Sequence, residues 1–488
     1  ALSTPLTPAT SGAVPSFASA SAGPTTSTAS TGRWTLRRRL SVTDVPGLID
    51  HSFFPQPPNW PVVADLRPVV PMTMTIRLLI EAAEAARPGQ VAVRIERVAA
   101  FKWLAVEPPV EVALRVEPGE GGDPSRVSAK VVDYAEAQVQ LAPRYAPAPA
   151  PTLPPLLEPR PSPHTAAQMY SERWMFHGPG YQGVTRIGDL DSGGLDADLV
   201  SLPAPGALMD SAGQLVGYWL LATHTEDPLT MPVGVESIDL YGPTPPPGTP
   251  LSCRVRVTAV RARDLRADLE LIVGDRLWCR IDGWVDHRFE ADPVMVSVMR
   301  QPEHHLLSDV HPAGPGAAWV WFDDEAHRTP SRDWLMRRYL RKDERDAITA
   351  APPRAQRQLV DEAVAAKDAV RALDGITARP RFPVEVPLVR HGAGFRSDDV
   401  TVAVAYLDHR AVAIASRTPT TGEGPRIAIA PADTDRDALI RRAAGRDGDV
   451  VQDGARFWVD GVAVALVPVD GHLVAYTVVH PTASESLR

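Results

Sequence analysis

The chain has 488 residues, too many for one ordinary core, and its length suggests about three domains. A hydrophobic fraction of 44% is globular, no run is apolar enough over enough residues to span a bilayer, and a net charge of -9 with scattered basic residues argues against nucleic acid as a partner. The two cysteines, Cys253 and Cys279, lie in apolar strand-like patterns outside any metal-type cluster and read as buried thiols of a reducing cytoplasm.

Residues 1–32 are rich in Ser, Thr, Ala and Pro and lack the basic start and apolar stretch of a secretion signal. They read as a flexible linker, which suggests a segment cut from a longer polypeptide. Strand-like patterns begin at Trp34. Val110, Val112, Leu114 and Val116 alternate with Glu111, Ala113, Arg115 and Glu117, and Ala135 to Leu141 alternates in the same way. Between the first strand and these lies one predicted helix, Met72 to Arg87, entered after Pro71 and closed by Pro88-Gly89. The order predicts a sheet wrapped around a single helix over 33–145.

Residues 146–164 are too proline-rich for helix or central strand and predict an extended linker. Over 165–300 the first plan repeats. A strand and turn (Met169 to Ile187) precede a helix, Ala207 to Ala222, and strands follow at Leu251 to Val257, Leu265 to Leu271 and Leu277 to Ile281. Two such copies imply an α+β pair of helix-in-sheet units with a site at their shared interface. The second helix is very apolar and carries Gly213 and Gly217 where a neighbour could press close. It also carries Asp210, with Gln214 one turn later on the same face. That acid either caps the helix after Pro205-Gly206 or must be paired, protonated or used.

The first unit offers a partner in His51, which sits in a loop of prolines and aromatics, DHSFFPQPPNWP. A loop histidine is either a satisfied structural residue or a base. One histidine and one buried acid supplied by two halves would suit the removal of water from a 3-hydroxyacyl thioester. A neutral imidazole takes the proton beside the carbonyl, and a protonated acid releases the hydroxyl from the next carbon. An apolar tunnel is expected to raise the Asp210 pKa and keep it protonated. Asp286, His287 and Asp292 read as solvated loop, and His304-His305 as part of a linker over 301–330; no metal site is expected from any of them.

Asp210-Ser-Ala-Gly-Gln214 resembles the Asp-x-x-x-Gln/His motif of polyketide synthase dehydratase domains, and Phe176-His177-Gly178-Pro179-Gly180-Tyr181-Gln182 resembles their HGPxF/Y turn. His51 falls where their catalytic histidine would be, and HSFFPQPPNWP and LWCRIDGWVDHRF (Leu277 to Phe289) look most like dehydratases of iterative, enediyne-type synthases. The resemblance covers about residues 34–300. It implies a double hotdog fold, with His51 as base and Asp210 as acid acting without cofactor on a 3-hydroxyacyl chain held by an acyl carrier protein. Gln214 would orient Asp210. Tyr181 and backbone N–H groups near Gly178 would help hold substrate oxygens, with His177 and Pro71 beside the pocket; His177 is read as a turn residue or a rival base. Pro55 departs from the glycine that modular dehydratases place four residues after the histidine. The parent synthases are generally dimers, which makes a homodimer an expectation as well.

Beyond Pro312-Ala-Gly-Pro-Gly316 two helices are predicted, Trp334 to Thr349 and Pro353 to Leu373, then strands at Val384 to Val389, Val400 to Tyr406, Ala411 to Ala415, Val462 to Val467 and His472 to Val479. YLRKDER, AAKDAVR, FPVEV and AVAIA resemble, in order, the phosphopantetheinyl transferase domain attached to some iterative synthases. Alanine stands in Ile427-Ala428-Ile429-Ala430-Pro431-Ala432 where that family's magnesium-binding acids should be, so 331–488 is read as a degenerate, inactive transferase, with Lys367 and Asp368 on a helix surface. The leading function is a dehydratase. The alternatives are a double-bond isomerase or non-catalytic double hotdog, an active transferase in the tail, or a tail that only docks carrier protein.

Overall fold

The computed structural model describes residues 33–119, 123–314, 316–326, 331–417 and 424–477; the predicted N-terminal linker lies outside them. Among the described residues up to Phe289 there are twelve strands: β1 (Trp34–Leu40), β2 (Val91–Ala100), β3 (Val110–Pro118), β4 (Arg126–Val131), β5 (Ala135–Ala142), β6 (Arg160–Pro161), β7 (Val184–Asp191), β8 (Gly194–Val200), β9 (Leu229–Leu240), β10 (Pro250–Val260), β11 (Asp264–Val273) and β12 (Arg276–Phe289). They form one sheet in the order β1-β3-β4-β5-β2-β9-β12-β11-β10-β8-β7-β6. Every pairing is antiparallel. The two halves meet where β2 pairs β9, with Ile95 opposite Ile238, both fully buried.

The alternation read from the sequence sets which side chains point inward. In β5, Ala135, Ala137, Val139 and Leu141 are buried while the residues between them are not. The first half curls around the helix Met72–Ala86, and the second around the helix Ala207–Thr223, in which every residue from Ala207 to Leu220 except Gly213 is buried. Both helices join one continuous core. This is the double hotdog plan.

Two local readings change. The Pro-rich stretch is extended but not free. The Thr152 N–H and hydroxyl and the Leu153 N–H donate to the buried Glu270 carboxylate at 2.7–3.1 Å, and Arg160–Pro161 adds a strand beside β7. The segment predicted to begin a strand at Met169 opens as a helix, Ala166–Ser171, because Thr165 and Gln168 form a capping box that starts one there.

The C-terminal residues build two further helix-on-sheet layers. Pro353–Asp374 packs on a six-stranded sheet and Arg436–Ala444 on a five-stranded one. Trp319, Trp321, Val412, Ile414, Ile427, Ile429, Val474 and Tyr476 fill the space between the sheets. The single helix predicted from Trp334 to Thr349 is two, Arg332–Tyr339 and Lys342–Ala350. Leu340 and Arg341 are extended, and the Glu344 carboxylate accepts the Arg341 N–H to begin the second helix. The stretch predicted as a strand from Val384 is instead a short turn of helix, Pro383–Glu385, with a strand only at Val389–His391. Lys367 and Asp368 are not on a helix surface. Both are fully buried, Lys367 paired with Glu344 at 2.7 Å and Asp368 with Arg371 at 3.1 Å, so this helix is charged inside because each charge has a partner.

Candidate active site

The second central helix starts at Gly206, whose φ of 77° only glycine adopts readily and whose missing Cβ lets the backbone at Thr73 and Met74 of the first helix press against it. This contact sets Asp210 beside the first turn of Met72–Ala86. Asp210 does not cap its helix. Its carboxylate is buried, Oδ2 accepting from Gln214 Nε2 at 2.8 Å and pairing with His177 Nε2 at 3.2 Å, while Thr73 Oγ1 lies 3.4 Å from Oδ1. Gln214 is itself fixed. Its Nε2 also donates to the Tyr181 carbonyl at 2.8 Å, and its Oε1 accepts from the Tyr170 hydroxyl at 2.9 Å.

His51 follows a short helical turn, Pro46–Asp50. Its Nδ1 lies 2.9 Å from the Val69 carbonyl, which can only accept, so Nδ1 carries the proton and the Nε2 lone pair is left facing Asp210 Oδ1 at 3.9 Å. The two halves are clasped here. The Gly178 N–H donates to the Asp50 carbonyl at 2.7 Å and the Gly180 N–H to the Asp50 carboxylate at 2.9 Å, and a side chain at 178 would run into Asp50. Residues 159 positions apart in the chain thus share one site.

The electrostatics separate the two groups. Burial pushes the His51 imidazole from 6.5 down to about 4, with His177 adding to the effect against the opposing pull of Asp210 and the Val69 bond. His51 is therefore neutral and fit to act as a base. Asp210 behaves otherwise than expected: burial raises its pKa, but His177 at Oδ2, His51 and Gln214 outweigh it and hold the carboxyl below its ordinary value. An apolar tunnel alone would have raised it; the second imidazole reverses the sign.

A cavity of about 820 Å³ opens onto both groups. Pro71, His177 and Gln214 line it with them, and Phe53, Trp103 and Phe176 pack edge to face along it at centroid distances of 4.9–5.5 Å. Tyr181 and Gly178 are placed differently from the expectation. The Tyr181 hydroxyl is buried and donates to the Pro205 carbonyl at 3.0 Å, and the Gly178 N–H is committed to Asp50, so neither is offered to a substrate; the Tyr181 ring instead packs 5.5 Å from the His51 ring. Asp286 is not solvated loop. It lies in β12, fully buried against the cavity, accepts Trp284 Nε1 at 2.6 Å, and is pushed up to about 6 by burial. Asp292 caps the helix Pro293–Arg300 through the Met295 N–H.

His177 is the residue the sequence reading weighed least well, since a turn between phenylalanine and glycine says nothing of what it meets across the fold. Thr73 and Tyr170 carry no local signal at all. Among the described residues, His51, His177 and Asp210 are the one group whose ligand atoms, all within 4.8 Å of one another, could converge on a metal ion. Asp210 Oδ2 is already engaged by two nitrogens, and His177 Nδ1 is buried with no acceptor to orient the ring as a ligand. The set is better matched to moving protons than to holding a cation.

A buried imidazole and a buried carboxyl group, one from each half, thus face one another at a shared cavity. Residues 145–294 match the family model described as polyketide synthase dehydratase N-terminal domain. The matched stretch takes in His177, Asp210 and Gln214 but not His51. Solved structures similar to this chain include a trans-AT polyketide synthase dehydratase domain from Brevibacillus brevis, 16% identical, covering 54% of this chain and 96% of that one with a TM-score of 0.43. Dehydratase domains of the CurJ and CurF modules of the curacin polyketide synthase are 17% and 16% identical, each covering 55% of this chain and 96% and 97% of theirs, with TM-scores of 0.41 and 0.42. No curated protein matches the sequence.

Proposed function

We propose that the chain removes water from a 3-hydroxyacyl thioester, carried on the phosphopantetheine of an acyl carrier protein, to give the trans-2-enoyl thioester. The observation that carries this reading is the approach of His51 Nε2 to within 3.9 Å of Asp210 Oδ1 at a shared cavity. His51 Nε2 takes the proton from the carbon beside the thioester carbonyl, the Cα–Cβ double bond forms, and the C–O bond at Cβ breaks as the leaving oxygen takes a proton from the Asp210 side. In the reactive form that proton sits on Asp210 Oδ1, the oxygen facing His51, and His177, held at Oδ2, is a positioning residue for the acid. Protonated His51 then returns a proton to Asp210, and the site is restored with one water released.

The test uses a synthetic 3-hydroxyacyl pantetheine thioester. The wild-type chain should form the enoyl product, and His51→Ala and Asp210→Asn should each lower kcat by about a hundredfold or more while the protein remains folded. Full activity in either variant overturns the assignment. Supplying the 2-enoyl and 3-enoyl thioesters in the same assay separates dehydration from double-bond migration.

We read the C-terminal layers as a transferase-like fold without transferase chemistry. Ala428 and Ala430 in the strand Ile427–Pro431 are buried against the helix Arg436–Ala444, in a packed core that has no room for metal-binding carboxylates. Incubation with coenzyme A, magnesium and an apo carrier protein should leave the carrier protein unmodified.

A further inference from the structure

The loop that follows His51 is held from outside the dehydratase halves. Asp65 forms a buried ion pair with Arg345 at 2.9 Å, and the same guanidinium donates to the Ala64 carbonyl at 3.0 Å. Arg338, 1% exposed, donates to the Pro55 carbonyl at 3.2 Å and lies over the Phe54 ring at 5.3 Å. Arg67 pairs with Asp333 at 2.7 Å. Pro55 stands where modular dehydratases carry glycine, and here its carbonyl is a docking point for the C-terminal layers.

These contacts fix the helix Arg332–Tyr339 against the channel. Ser331, Asp333 and Trp334 line the same cavity as His51 and Asp210, beside Phe54 and Arg67. A buried ion pair and a buried arginine on backbone carbonyls do not slide, because separating either leaves a charge without a partner in a dry interface. Trp334 is only partly buried: one side packs on the C-terminal core and another side faces the cavity.

We propose that Ser331, Asp333 and Trp334 form a substrate-binding wall of the dehydratase channel, so that the C-terminal layers complete the binding site for an acyl-pantetheine chain. The chemistry suits that ligand. An indole offers a flat apolar face to methylene groups, and the Ser331 hydroxyl, whose oxygen accepts the Trp334 N–H, keeps its proton to donate to an amide carbonyl of the arm, while Asp333, paired with Arg67 and Arg337, fixes the helix beside it. The wall touches no reacting atom, so it acts on binding. The inference rests on the proposed dehydratase reading, and its test is built to fail separately from it.

The full chain is compared with Trp334→Ala, which removes the apolar face, and Ser331→Asn, which puts a bulkier side chain at the cavity while keeping an oxygen that can cap the helix in place of the hydroxyl. Two quantities are measured: KM and kcat for the 3-hydroxyacyl pantetheine thioester, and calorimetric Kd for the saturated acyl pantetheine, which cannot react. Each variant should raise KM and Kd by about five- to tenfold, with kcat changed less than about twofold. KM and Kd equal to wild type in both variants overturn the proposal. A wild-type chain that binds the saturated thioester without dehydrating the hydroxy substrate defeats the functional reading, and the Kd comparison still decides whether the wall exists.

Discussion

Acidification tests the central feature of the site, a histidine kept neutral by burial. The His51 pKa falls from 6.5 in the unfolded chain to about 4 in the folded one. Above pH 6.5 both states leave it unprotonated, and it adds no pH dependence. Below that the unfolded chain takes up a proton the folded chain refuses, so stability is lost as pH falls from 6.5 to about 4 and the loss is then complete. The drop in pKa corresponds to roughly 3 kcal/mol. Asp210, held below its ordinary 3.8, acts in the same direction but only at still lower pH, because its stabilisation is present above the unfolded value and vanishes beneath it. The assay is denaturant unfolding at several pH values between 4.5 and 7.5, wild type against His51→Phe. His224 and His305, also lowered by burial, contribute equally to both proteins and cancel. The wild type should lose more stability than the variant across this window, approaching the full difference at the acid end. Equal slopes would refute the claim that His51 is buried and neutral. The acid limb of kcat/KM should likewise lie near pH 4 rather than 6.5.

Three further outcomes follow from packing and pairing. A Cβ at Gly213 would meet the Trp284 ring at 2.5 Å, whereas one at Gly217 would find ordinary contacts at 3.5 Å; Gly213→Ala should therefore destabilise by roughly 1–3 kcal/mol and Gly217→Ala should stabilise by up to about 1, read as opposite shifts in Tm. Asp65→Ala should cost about 3–5 kcal/mol because Arg345 is left buried without its carboxylate, a loss seen in thermal melting and not reproduced by altering the exposed Lys342–Asp346 pair. Tyr170→Phe should lower kcat with KM nearly unchanged, since it frees the Gln214 amide that steadies Asp210 without touching the cavity wall, and steady-state kinetics check the split.

Local pattern carried the architecture because each unit is built from signals that need no distant partner. The period-two runs of β3 and β5, the proline and glycine bounding the first helix, and the apolar run around Asp210 all show in a few consecutive residues. His51 and Asp210 were legible as a pair only through motifs, and the structure places them together. What stayed hidden depends on contacts across the fold. Asp286 looks like solvated loop because charged residues surround it in sequence, yet β12 runs on to Phe289 and turns it inward. Lys367 and Asp368 look like surface residues until Glu344, Arg371, Tyr339 and Ser308 close on them from elsewhere. No local rule foretells that an arginine 283 positions after Pro55 will donate to its carbonyl.

The depressed His51 pKa poses a problem that the geometry answers. A base with so low a proton affinity is weaker by roughly 3 kcal/mol than a free imidazole at drawing a proton from carbon. On the proposed reading, proton removal and departure of the hydroxyl would have to support each other, with base and acid reaching adjacent carbons at once, and a gap of 3.9 Å between their facing atoms permits this. In the proposed cycle the same weakness would speed the second half. Burial makes the His51 cation costly, so it gives its proton up readily, and the nearest acceptor is the Asp210 oxygen that has just lost one. His177 fixes where that proton comes to rest. By holding Asp210 Oδ2 at 3.2 Å it leaves Oδ1 as the oxygen turned toward His51, so one carboxylate oxygen faces each imidazole and a proton can leave and return at Oδ1 without disturbing the pair at Oδ2.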